Sequence, residues 1–246
     1  MTTDAPGAIP SPNIWGDPQV YETHNRAMDR AGVIDAAMRE LVGRVAPGGW
    51  RGLDVVELGC GSGFHLPRVV AAGARVVGVE PHAPLVDLAR RRITGMPSAS
   101  VTLAGAADTG LPEASVDVAI ARWAYFFGPG CEPGLAELAR IVRPGGIAMV
   151  LDNDATRSTF GDWFARAWPD YDAAAVHRFW VRQGWRREPL LVEWAFDSRA
   201  DFEAVLGWEF EPRYAASVLA ADPDRTSVDY AVNLWWRVPE GVGART

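Results

Sequence analysis

Apolar positions along the chain recur in two periods, and the two alternate. Short apolar runs bounded by turn residues predict buried strands. Such runs lie at residues 53–58, 75–79, 101–103, 116–122 and 147–151. Between them, apolar residues spaced three and four apart predict helices over 64–72, 84–93 and 132–142. Upstream, Asp17-Pro18 is a helix start, with Asp as N-cap and Pro at the first helical position. That helix is expected to reach about residue 29, with a second over 33–45. Residues 1–16, rich in proline and small polar residues, are expected to form a loose arm. Strands alternating with helices imply right-handed crossovers and a mainly parallel, doubly wound α/β sheet covered on both faces. Ligands of such sheets sit at the carboxyl ends of the strands.

Past residue 154 the pattern changes. Phe160, Trp163, Phe164, Trp168, Tyr171, Phe179, Trp180 and Trp185 crowd one stretch. A strand is expected over 186–196, a helix capped by Ser198 to about 206, and a last strand over 226–238. One domain is expected: the arm, a helical lid over 17–46, a core over 50–155, then an aromatic helical insertion and C-terminal strands over 156–246. The aromatic excess (11 Trp in all) fits a planar-substrate pocket or core packing equally well.

The first strand ends Val55-Val56-Glu57-Leu58 and breaks into Gly59-Cys60-Gly61-Ser62-Gly63. Glycines there let the backbone turn sharply and lie close to a ligand that a Cβ would exclude. Alone, the triplet is a tight turn or a ligand loop. The dinucleotide fingerprint G-x-G-x-x-G needs a third glycine where this chain has Phe64. The second strand ends in Glu80, followed by Pro81; an acid there can accept both hydroxyls of a ribose. Gly105 to Pro112 forms a loop before the fourth strand, in which Asp108 can accept from an adenine amino group and Ala107 can offer a backbone contact.

The acid two residues before G-x-G-x-G resembles motif I of class I S-adenosylmethionine-dependent methyltransferases. With Glu80, Asp108, residues 115–120 and the Leu138 to Gly146 segment, it resembles the ubiquinone/menaquinone-biosynthesis type of small-molecule methyltransferase. The resemblance covers residues 50–155 well, and the opening Asn13-Ile14-Trp15 to Asn25-Arg26-Ala27 resembles actinobacterial members. It implies a Rossmann-like sheet of seven strands with an antiparallel last strand, and S-adenosylmethionine as cofactor. Cofactor contacts then fall on Glu57, Gly59, Cys60, Gly61, Gly63, Glu80, Pro81, Ala107, Asp108 and Arg122. The chain has Ala106 where many members carry Asp.

Charge and composition narrow the acceptor. The formal net charge is −7, which disfavours a nucleic-acid substrate. There is no lysine, so no step can use a lysine amine, and a Tyr-x-x-x-Lys oxidoreductase pair is excluded. No apolar run is long enough to span a membrane, no secretory signal opens the chain, and a cytoplasmic monomer or homodimer is expected. The two cysteines are too few for a disulfide framework. The remaining expectation is a small organic acceptor. His24 is the candidate base, with Tyr21 on the same helix face at three-residue spacing; an ordinary half-buried helix face explains the same pattern. Trp123, Tyr125, Phe126, Asn153 and His177 are candidate pocket residues. Asp152-Asn153-Asp154 invites a metal, but Arg122 stands where a ligating acid would be needed, so no metal is expected. A nucleotide-dependent oxidoreductase and a binding protein that transfers nothing are the competing classes.

Overall fold

The computed structural model describes residues 4–11, 13–124 and 128–239. The glycine-bounded apolar runs become a sheet, with the Val55-Val56-Glu57-Leu58 strand near its middle. In chain order the strands are β1 (Asp54–Leu58), β2 (Arg75–Glu80), β3 (Ala99–Leu103), β4 (Val116–Arg122), β5 (Val142–Asn153), β6 (Arg186–Ala195) and β7 (Ser227–Arg237). They lie side by side as β3-β2-β1-β4-β5-β7-β6. The pairs from β3 to β5 are parallel, while β7 runs antiparallel between β5 and β6. Strands buried on both faces read as continuous apolar runs rather than alternation, which is why the core strands were legible.

The helices are α1 (Pro18–Ala27), α2 (Val33–Val45), α3 (Leu66–Ala71), α4 (Ala83–Arg92), α5 (Glu132–Ile141), α6 (Thr159–Ala167), α7 (Ala173–Arg182), α8 (Arg199–Glu209) and α9 (Pro212–Ala221). One face of the sheet carries α2, α4, α6 and α8, with Leu41, Leu66, Val86, Phe160 and Val205 in its core. The other carries α5 and α7, with Ile141, Phe179 and Trp180. α1 starts as its sequence dictates: Asp17 accepts from the N–H groups of Gln19 and Val20 at 3.0 Å, a cap worth about 0.5–2 kcal/mol. It buries His24, Asn25 and Ala27, and ends where Met28 turns extended.

Three features differ from expectation. First, β5 begins at Val142 rather than after the Pro144-Gly145-Gly146 turn; the turn is absorbed as an irregularity in the pairing with β4. Gly145 has φ +82, and a Cβ on Gly146 would lie 2.6 Å from the Asp117 carbonyl. Arg143 clamps the irregular stretch by pairing with Asp54 and Asp117. Second, α9 was not anticipated, although Glu211 caps it by accepting from Arg213 and Tyr214, with Pro212 next. Third, the aromatic stretch is not one surface. Phe160 and Phe164 enter the core on one face, and Phe179, Trp180 and Trp185 enter the other. All five are buried, so most of that aromatic excess is packing.

Candidate active site

The cradle is built where β1 ends. Gly59, Gly61 and Gly63 have φ of +64, +57 and +75, a conformation that side chains resist. The space argues the same way. A Cβ on Gly59 would lie 2.6 Å from the Ala124 Cβ, and one on Gly61 would lie 2.8 Å from Ile14 Cδ1. Cys60 is buried and turned to the sheet, its Sγ 2.7 Å from where a Cβ on Gly78 would stand. Its role there is packing.

Two carboxyls converge on this loop. Glu57 is buried, and its Oε1 accepts from Arg122 at 2.5 Å. Its Oε2 is buried and has no partner among the described residues. Burial pushes the carboxyl up, against the pull of the Arg122 guanidinium. Glu80 accepts from the Gly61 N–H at 2.9 Å and from the His82 N–H at 3.0 Å, and burial pushes it up to about 7. Pro81 follows, its carbonyl accepting from Ala5. Ala107 and Asp108 are exposed at the tip of the 105–110 loop, which closes through the Asp108 N–H donating to the Gly105 carbonyl. That loop is anchored by a residue the sequence did not single out. Fully buried Thr109 donates its N–H and its hydroxyl to Glu137, at 2.9 and 2.5 Å. Hydrogen bonding from Arg140, then from Thr109, holds the Glu137 carboxyl down at about 2.

The expected loose arm and helical lid close over this cradle. Asp4 accepts from the Ala83 N–H and contacts His82 Nδ1, both at 2.9 Å. Trp15 stacks on the His82 ring at 4.0 Å. Ile14 and Tyr21 lie against Gly61. Glu22 on α1 receives a hydrogen bond from Ser62 in the glycine loop and ion-pairs with Arg92 of α4. Arg92, from the Arg90-Arg91-Arg92 run, thereby ties the lid to the loop.

Beyond the loop, rings gather around His24. Trp194 lies 5.2 Å away between centroids, Trp208 5.8 Å, Tyr21 6.0 Å and Trp123 6.3 Å. His24 is buried with Nδ1 unpartnered, and burial holds its ring down at about 4. Burial pushes the Tyr21 hydroxyl up to about 12, while a hydrogen bond with Asn25 pulls the other way. Trp123 takes φ +50, a strained value for a bulky residue. The bend places its Nε1 to donate to Asn153 Oδ1 at 2.7 Å, and the Tyr230 hydroxyl donates to the same oxygen at 2.6 Å.

The sequence-predicted residues thus separate. Glu57, Gly59, Gly61, Gly63, Glu80 and Arg122 come together, and Tyr21, His24, Trp123 and Asn153 adjoin them. His177 does not join: it is exposed on α7, near Trp235 on the opposite face of the sheet. Tyr125 and Phe126 lie outside the described residues. Asp154 is consumed by Thr156, Arg157 and Arg187, and no group of three metal-binding side chains occurs among the described residues. Sequence reasoning missed Trp194, Trp208 and Tyr230. They stand on late elements whose neighbours are set by the insertion of β7 between β5 and β6.

Residues 56–150 match a methyltransferase domain family. A tRNA U34 carboxymethyltransferase of Methylococcus capsulatus is 25% identical over 222 residues, covering 84% of this chain. The chain spans just under two thirds of that relative's length, 66%. A putative type II methyltransferase from Anaeromyxobacter dehalogenans superposes with a TM-score of 0.56 at 27% identity, covering 83% of this chain and 96% of its own. A putative methyltransferase of an antibiotic biosynthesis pathway in Anabaena variabilis shares the fold, with a TM-score of 0.62, 18% identity and coverage of 86% and 98%. Residues 56–150 thus form a methyltransferase domain, on the fold of class I S-adenosylmethionine-dependent methyltransferases. These likenesses reach the class; the ubiquinone/menaquinone type stays a resemblance of motifs.

Proposed function

We propose that the chain binds S-adenosylmethionine across the Glu57–Gly63 cradle and transfers its methyl group to a small organic acceptor seated against the rings around His24. The observation that carries this is the unpartnered, buried Glu57 Oε2 beside a glycine loop whose backbone faces the lid. An unsatisfied buried carboxylate oxygen is costly, and the α-ammonium of the cofactor is a fitting donor. Glu80 would accept the ribose hydroxyls, and Ala107 and Asp108 would meet the adenine edge. Bound there, the sulfonium supplies a methyl carbon already activated for in-line displacement.

The chain's own residues then chiefly align the acceptor, which can supply about 7–11 kcal/mol. Tyr21 and Ile14 keep water from Gly61. Trp123, held by Asn153, walls the far side. A base works best with a pKa near the operating pH. His24 at about 4 and Tyr21 at about 12 are ill matched to that task, so both serve as a neutral hydrogen-bonding wall. A tRNA acceptor, which the Methylococcus capsulatus relative is named for, sits poorly with a net charge of −7. That charge supports a small acceptor.

Calorimetry with S-adenosylhomocysteine and with NAD(H) tests the reading. The homocysteine compound should bind and the nicotinamides should not; the reverse result would return the chain to the oxidoreductase class. Glu80→Ala should weaken binding by about 10–100-fold, the worth of hydrogen bonds to a charged group. Unchanged affinity would remove the ribose assignment.

A further inference from the structure

Asn153, the last residue of β5, is 4% exposed, and nearly every polar atom it has is held. Its Oδ1 accepts from Trp123 Nε1 at 2.7 Å and from the Tyr230 hydroxyl at 2.6 Å. Its backbone N–H donates to Asp152 Oδ1 at 2.8 Å, and its carbonyl accepts from Asn233 Nδ2 at 3.1 Å. An indole nitrogen can only donate. The amide oxygen must therefore face Trp123, which turns the NH2 group away from it. That NH2 group has no partner among the described residues. Nor is it walled in: His24 Nδ1 and the indole nitrogens of Trp194 and Trp208 are sealed without a partner, whereas Asn153 Nδ2 is not among the sealed atoms. Its opposite end is clamped by Trp123, which holds φ +50, a strained value of the kind found at ligand clamps. The result is a donor fixed in direction, facing open space.

The donor stands beside the cradle. Trp123 and Ala124 follow β4, and the Ala124 Cβ lies 2.6 Å from where a Cβ on Gly59 would stand. The Trp123 ring meets the His24 ring edge-on, 6.3 Å between centroids. Asn153 thus holds the segment that touches both the glycine loop and His24. The cations of this corner are spent. Arg122, next to Trp123, is paired with Glu57, and Arg187, which donates to Asn233, is paired with Asp154. A carboxylate brought here would meet no free charge, and a desolvated, unpaired charge is costly. An ammonium would bring donors to a donor. A neutral carbonyl oxygen, with lone pairs and no charge, matches the amide.

We infer that the methyl acceptor carries a carbonyl oxygen, and that Asn153 selects it by donating to that oxygen from Nδ2. This deepens the cofactor reading above and rests on it. Asn153 is then a specificity-determining residue; it moves no proton. A fixed donor discriminates more sharply than an apolar wall, because a molecule without the oxygen leaves the N–H unpaired when it excludes water. Since Trp123 and Tyr230 orient the amide before the ligand arrives, little ordering is lost on binding.

The test uses the full chain saturated with S-adenosylhomocysteine, titrated calorimetrically with indanone, aminoindane and indane carboxylate, which share one ring frame. The ketone should bind about tenfold more tightly than either of the others, the worth of one buried hydrogen bond. N153D keeps the oxygen that Trp123 and Tyr230 hold and turns the free NH2 into an acceptor, so the preference should reverse toward the amine. A buried carboxylate can unsettle a fold, so the wild type supplies a second reading. In nitrogen-15-labelled protein the Asn153 side-chain amide signal should shift when the ketone is added. No binding of the ketone, equal binding of the amine or the carboxylate, an unreversed order in folded N153D, or an unmoved amide signal would each overturn the inference. Failure of the wild type to bind S-adenosylhomocysteine would instead sink the cofactor reading beneath it.

Discussion

Arg122 and Glu57 form a buried ion pair at the root of the cradle. Their side chains are 9% and 3% exposed, so each charge is out of water and needs the other. Breaking one member of such a pair costs about 3–5 kcal/mol, because the survivor is left uncompensated. Arg122→Met should therefore destabilise the protein by about that much in urea unfolding. Adding Glu57→Gln should recover most of the loss. If the double variant is as unstable as the single one, the two side chains are not coupled. The same pair explains why Glu57 was legible from its motif and Arg122's role was not. An acid before G-x-G-x-G announces itself by spacing, whereas its partner lies 65 residues away and meets it only through β1–β4 pairing.

At the scale of elements, the 105–110 loop shows how a site is held by what does not touch the ligand. Its tip is exposed and its root is nailed by Thr109 to Glu137 of α5, with Arg140 completing the set. Glu137's folded pKa lies below its unfolded value, so its contribution is present above about 4.5 and is lost as pH falls toward about 2. Urea unfolding between those limits should lose stability in the wild type and less so in Glu137→Gln, which starts lower. Thr109→Val leaves buried acceptor capacity unmet and should cost about 1–3 kcal/mol. A flat acid limb in the wild type would show that Glu137 does not carry this linkage. Periodicity revealed α5 and the strand it feeds, because both are amphipathic or apolar runs. It could not reveal the anchor, since a Glu on a helix face looks the same whether it meets water or a threonine.

For the whole molecule, sequence alone reached the layered sheet, its parallel core and the reversed seventh strand. It placed the first two helices closely. It lost ground past residue 154, where aromatic residues satisfy core and pocket patterns alike and only topology separates them. The sheet sends Phe179 and Trp180 to one face and Trp194 to the other, and no local rule encodes that choice.

The arm expected to be loose instead spans the edge of the cradle, from Asp4 on His82 to Ile14 on Gly61. A wall built of such contacts has to part if a ligand is to enter on that side. The expected effect of the arm is on residence time more than on affinity. A chain starting at Gly16 should take up and release S-adenosylhomocysteine faster in stopped-flow, with both rates rising together. An unchanged release rate would mean the door lies elsewhere.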